Sequence, residues 1–162
     1  MSMITTLQQL RVRFLSIQDP PHAIARGAAI GIYFGFTPLF GLKTLLAIGV
    51  ATLWRGNKVA AAIAVTAHDL TLPLLPILLR WEYDIGYWLL SHPNQLPSEI
   101  HLHHLSLKLA EWLQWSTFLK IGRPVLLGAT VIGLPIAALA YGITFQFTQK
   151  RERARLINKK PA

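Results

Sequence analysis

GAAIGIYFGFTPLFGLKTLLAI, residues 27–48, decides the fold. The run is apolar enough for a lipid bilayer, yet Thr37-Pro38 interrupts it and Lys43 sits just beyond the interruption. One continuous helix would cross the membrane, whereas two short helices would meet at a break and return. Length favours the second path. The arms 27–36 and 42–54 flank Thr37-Pro38-Leu39-Phe40-Gly41. At about 1.5 Å per residue each arm reaches roughly 15 to 20 Å, short of a hydrocarbon core near 30 Å.

Charge favours it too, because short cytoplasmic loops carry the excess of Lys and Arg. The C-terminal run KRERARLINKK places that end in the cytoplasm, and Arg11, Arg13 and Arg26 place the N-terminal region on the same side. Arg55 and Lys58, just beyond the second arm, belong there as well, while residues 80–123 are mixed in sign. The path consistent with these charges is a re-entrant hairpin over 27–54, an outward crossing over 59–79 and a return over 124–149. The last block has no charged residue and is long enough to span alone.

Composition agrees with a membrane setting. The chain is 52% hydrophobic and 14% charged, against about 25% charged for soluble domains. It has no cysteine, which removes disulfides, thiolate nucleophiles and Cys-ligated metals. The net charge of +9 lies beside apolar blocks rather than along a stripe with interleaved aromatics, so it faces an anionic membrane surface and not nucleic acid. The N-terminus has no short apolar core followed by a cleavage site, so no signal peptide is expected.

The remaining segments complete an all-α membrane protein. Ile4, Leu7, Leu10, Phe14 and Ile17 recur at helical spacing and predict an interfacial amphipathic helix over 1–19, ended by Asp19-Pro20-Pro21. A single membrane domain covers 20–149, and 150–162 form a basic cytoplasmic tail. Residues 100–119 predict a second interfacial helix. Pro73 and Pro76 break the 59–79 span. The aromatic residues Trp54, Trp81, Tyr83, Tyr87, Trp88, Trp112 and Trp115 fall near span ends or on that second helix, where amphipathic rings settle.

Gly27, Gly31 and Gly35 form one stripe without side chains, suited to close helix packing against the 42–54 arm or a second copy of the chain. A smooth path for a lipid or solute is the functional alternative. Breaks at Pro38 and Gly41 leave backbone polar groups to be satisfied, which a bilayer tolerates only inside protein or beside a wet cavity. Asp69 is the one carboxylate within the apolar blocks, so it needs a partner, a proton or water. Lys43 either pairs with it, snorkels to the interface, or binds an anion. The candidate intramembrane site is therefore Thr37, Pro38, Gly41, Lys43, His68 and Asp69, with Thr66 and Thr71 adding polarity nearby.

His101, His103 and His104 lack a convincing further ligand, and no metal, cofactor or catalytic residue is assigned. No phosphate loop, paired-carboxylate motif or Ser-His-Asp context is present, so an enzyme is the weaker expectation.

The run HAIARGAAIGIYFGFTPLFGLKTLLAI, with Arg55, Asn57, LTLPLLP, Gly86 and Trp88-Leu89-Leu90, resembles the domain of unknown function 2062, a family of bacterial membrane proteins. The resemblance covers roughly residues 8–149. Here His68-Asp69 stand where that family usually has Asn-Pro, and its usual tyrosine is missing. The resemblance implies a bacterial inner-membrane location and a link to envelope glycans or lipid-linked intermediates, through the glycosyltransferase-like domains to which some members of the family are joined. The expected function is handling of a lipid or small anionic solute at the broken helices, with a membrane scaffold or accessory subunit as the alternative. Expected partners are membrane lipids and either a second copy or another membrane protein.

Overall fold

The computed structural model describes residues 8–10, 12–13, 17, 19–39, 42–70, 74–91 and 121–158. Of the interfacial helix expected over 1–19, residues 8–10 and 12–13 are helical, whereas Ile17 and Asp19 are not; its other residues and the helix expected at 100–119 lie outside the described residues. The described chain is helical: α1 Pro21–Phe36, α2 Lys43–Leu53, α3 Lys58–Asp69, α4 Leu75–Leu90 and α5 Arg123–Asn158.

Local chemistry sets these limits. Pro21 opens α1, where its missing N–H costs nothing, and Ala23 and Ile24 donate back to the Pro20 carbonyl. At the other end Pro38 forces Thr37 into extended backbone, ψ 133°. The Thr37 hydroxyl then donates to the Phe34 carbonyl at 2.7 Å and closes the last turn. The tight α2–α3 turn sets Arg55 at φ 52°, the one positive-φ non-glycine among the described residues. Asn57 caps α3 by accepting from the Ala60 amide, donates its own side-chain N–H to Asp19, and donates its backbone N–H to the Ala23 carbonyl at 2.8 Å.

Two segments run further than expected. The 59–79 block is divided between α3 and α4, and α4 passes the expected limit at 79 to reach Leu90. The C-terminal helix does not stop at 149, since RERARLIN has no glycine or proline and is rich in helix formers. Much of the basic tail is thus the last turns of α5. Pro135 sits inside α5 without ending it.

α1 and α3 lie parallel and nearly touching: Gly27 lies against Asn57 and Ala60, Gly31 against Ala61 and Ala64, and Gly35 against His68. The stripe therefore meets α3, whereas the sequence reading gave it to the 42–54 arm or to a second copy. The reason is local, because the opposing Ala60, Ala61 and Ala64 are as small as a helix can offer without glycine. α2 runs back antiparallel and fills the other side with Ala47 and Ala51, forming a core with Ile30, Ala61 and Val65.

α5 is the common wall. Tyr33 donates to the Thr130 hydroxyl at 3.3 Å, since the Thr130 proton is already spent on the Leu126 carbonyl. Further along, His22 Nδ1 meets the Tyr141 hydroxyl at 2.9 Å and its ring lies 4.3 Å from that of Phe145. α1 thus runs antiparallel to the later half of α5. α4 takes the earlier half, where Gly86 meets the Pro124 backbone and Gly128 meets that of Glu82. At about 1.5 Å per residue, the 36 residues of α5 measure about 54 Å, enough for both tiers.

Candidate functional site

Three helix ends converge between the tiers: the C-terminus of α1, the N-terminus of α2 and the C-terminus of α3. Lys43, the first residue of α2, pairs its ammonium with Oδ1 of Asp69, the last residue of α3. The lysine side chain is 10% exposed and the aspartate 35%, so the pair opens on the aspartate side.

The helix dipoles make this arrangement reciprocal. A cation at a helix N-terminus and an anion at a helix C-terminus are each disfavoured by their own helix. Lys43 and Asp69 occupy those wrong ends, but the pair sets Lys43 against the negative end of α3 and Asp69 against the positive end of α2. Neither charge fits alone, and together they tie two helix ends.

His68 stands beside the pair, half-buried, with its ring 4.5 Å from Phe36 at an interplanar angle of 62°. Gly35 lets it approach, since a Cβ there would lie 2.6 Å from the imidazole. Thr37 is buried at the same level, but its hydroxyl is satisfied by Phe34 and closes a helix rather than facing a ligand. Pro38 is half-buried next to it, while Gly41 lies outside the described residues. The structure thus pairs Lys43 with Asp69 and sets the adjacent His68 against Gly35 and Phe36, the residues that lead into Thr37 and Pro38.

Thr66 does not join them. It is exposed and donates to the Ala62 carbonyl of its own helix at 2.9 Å. The same internal bond is made by Thr52, Thr130 and Thr148, the usual way for an apolar helix to hide a hydroxyl. Thr71 and the three histidines at 101, 103 and 104 lie outside the described residues.

Two features went unread in the sequence. One is the clasp at the opposite end of α1, where Arg26 donates to the Trp54 carbonyl at 3.0 Å and Asn57 holds Asp19. The other is Glu82, buried between α4 and α5. Its signal was available, because Leu79, Glu82, Tyr83 and Gly86 recur at three and four residues and share a helical face.

α5 is the one helix among the described residues long and apolar enough to cross a membrane, and 22% of its most apolar window is buried inside the chain. Leu134, Leu139, Ile143 and Phe147 face outward.

A family described as an uncharacterized protein conserved in bacteria (DUF2062) matches residues 4–156. No curated protein and no solved structure matches the chain.

Proposed function

The chain belongs to the bacterial DUF2062 family, whose description carries no activity, and from its geometry we propose an integral inner-membrane protein that handles an anionic lipid or small anionic solute where α1, α2 and α3 end. The observation that carries this reading is the Lys43–Asp69 pair at that convergence, with an ammonium inside and a carboxylate partly open. An arriving phosphate would meet the positive end of α2 and compete with Asp69 for Lys43.

The re-entrant topology belongs to the same proposal. α1, α2 and α3 measure about 24, 16 and 18 Å, so none crosses alone. Arg26, Arg55 and Lys58 gather at the start of α1 and, through the His22–Tyr141 contact, beside the later turns of α5 with Lys150, Arg151, Arg153 and Arg155. A shared basic end supports a cytoplasmic face for all of them. α3 and α4 in succession would then complete the outward crossing.

The test is binding and flux in reconstituted vesicles, with inorganic phosphate and phosphatidylglycerol as probes. Lys43→Ala is expected to weaken binding at least about tenfold, the scale of one lost charge-assisted contact. Wild-type protein that neither binds nor moves either probe would refute the reading.

A second reading, a scaffold or accessory subunit, draws support from the outward apolar face of α5. Since Gly31 and Gly35 face α3, enlarging them would disturb the fold itself. A partner or second copy is better sought with Leu139→Trp and Ile143→Trp, which should release a co-purifying membrane protein or dissociate an oligomer.

A further inference from the structure

The face of α4 that meets α5 carries one acidic side chain, Glu82, which is 2% exposed. Its Oε2 is buried without a hydrogen-bond partner among the described residues. Among the described residues the surroundings are apolar: Leu79, Tyr83 and Val125 form a buried cluster, with Tyr87 and Ile121 packed against it. On α5 the facing strip of Pro124, Val125, Gly128 and Ala129 carries no charge.

The other charges near it on these two helices are engaged or turned away. Arg80 and Asp84 face each other at 3.7 Å on the exposed flank of α4, and Arg123 at the start of α5 is exposed. The two helices approach closely on either side of it, since a Cβ on Gly128 would lie 1.7 Å from the Glu82 carbonyl oxygen and one on Gly86 1.7 Å from that of Pro124.

Three occupants could satisfy a buried carboxyl oxygen: a cationic side chain, a metal ion or a proton. Among the described residues no cationic side chain reaches it, and a metal ion would require several oxygen or nitrogen ligands. Among the described residues no group of three His, Asp or Glu is gathered to supply them. A proton needs only the one oxygen, and it removes the charge whose burial would carry the full desolvation cost.

We infer that Glu82 is a proton-binding site of the α4–α5 interface, holding a neutral carboxylic acid while the helices are closed and releasing the proton when they part. One O–H bond forms on closure, with water supplying the proton, and the same bond breaks on opening. The site is independent of the Lys43–Asp69 junction, and its proton would give the membrane domain a means of sensing or using pH.

The experiment is infrared spectroscopy of the full chain in lipid nanodiscs at neutral pH, comparing wild type with Glu82→Gln. The expected result is a protonated-carboxyl C=O band in wild type that shifts in D₂O and is missing from the variant. Unfolding measured against pH supplies the second readout. At neutral pH the native state holds a proton that the unfolded chain has released, so the contribution of Glu82 to stability falls as pH rises above the ordinary carboxyl range and levels off once the native carboxyl also ionises. The wild-type folding constant should drop by up to about tenfold per pH unit relative to Glu82→Gln. If the glutamine variant fails to fold, the wild-type band and its loss at high pH still decide the matter. A wild type with no such band, or parallel pH profiles for the two proteins, would overturn the inference.

Discussion

Alanine placed at the close-packed and at the open helical glycines should have opposite effects, and the structure supplies the sizes. At Gly31 the new Cβ would lie 2.3 Å from the Ala61 carbonyl oxygen, and at Gly128 it would lie 1.7 Å from that of Glu82, where ordinary contact begins at 3.4 Å. The obstacle is backbone in both cases, so no rotamer change relieves it. The helices must part by about 1.1 and 1.7 Å, the differences from 3.4 Å, and gaps of that order forfeit half or more of the dispersion attraction along the seam. Gly31→Ala should cost roughly 2–3 kcal/mol and Gly128→Ala 3 or more. At Gly49 and Gly142 nothing lies within 4 Å, so alanine there adds helix propensity alone and should stabilise by about 0.5–1 kcal/mol. All four substitutions make the same backbone change, so the contrast isolates packing. Unfolding in mixed micelles of rising SDS fraction, followed by circular dichroism, measures it. Gly31→Ala and Gly128→Ala no more costly than Gly49→Ala would refute the close α1–α3 and α4–α5 crossings.

Breaking the ion pair should cost more than removing it. Lys43→Ala or Asp69→Ala is expected to lose about 2–4 kcal/mol, a buried-pair penalty reduced because Asp69 is one-third exposed. The combination of Lys43→Met with Asp69→Leu should restore most of that stability while abolishing phosphate binding, and a double variant that still binds would separate the pair from the function. The exchange Lys43→Asp with Asp69→Lys should also recover folding; failure of that rescue would count against direct pairing. Topology can be read by introducing cysteine into this cysteine-free chain at exposed Lys58, Arg155 and Trp88. The first two should label from the cytoplasm and Trp88 from the opposite side, and opposite labelling of positions 58 and 155 would sink the re-entrant path.

Much of the helical layout was legible because it depends on neighbours in the chain. Pro20-Pro21, Thr37-Pro38 and Pro76 each act on the backbone beside them, so helix limits near 21, 36 and 75 follow from the covalent geometry of proline. The periodic glycines announced a close contact for the same reason, since spacing of four residues fixes a helical face whatever lies opposite. What lay opposite was not legible. The stripe on α1 could be matched to any small-residue surface, and both α2 and α3 are alanine-bearing. Only the return of the chain through the Arg55 turn, with Asn57 bound to the Ala23 carbonyl, starts α3 level with Gly27 and so decides which of the two it meets.

The ionisable residues divide in the same way. Lys43 and Asp69 were readable as partners because each stood alone in an apolar block, and a charge alone in such surroundings demands an opposite. Glu82 was hidden by company: with Arg80, Asp84 and Trp81 around it, RWEYD looks like a solvated stretch at the end of a span. The distinction lies in register rather than composition. Arg80 and Asp84 are four apart and pair on one flank, whereas Glu82 falls between them on the face of Leu79 and Gly86. The close approach that places it there depends on Gly128, more than forty residues later, and that contact exists only once α5 has packed. A carboxyl placed where two backbones touch is set by the fold as a whole, so its chemistry appears only with the tertiary structure.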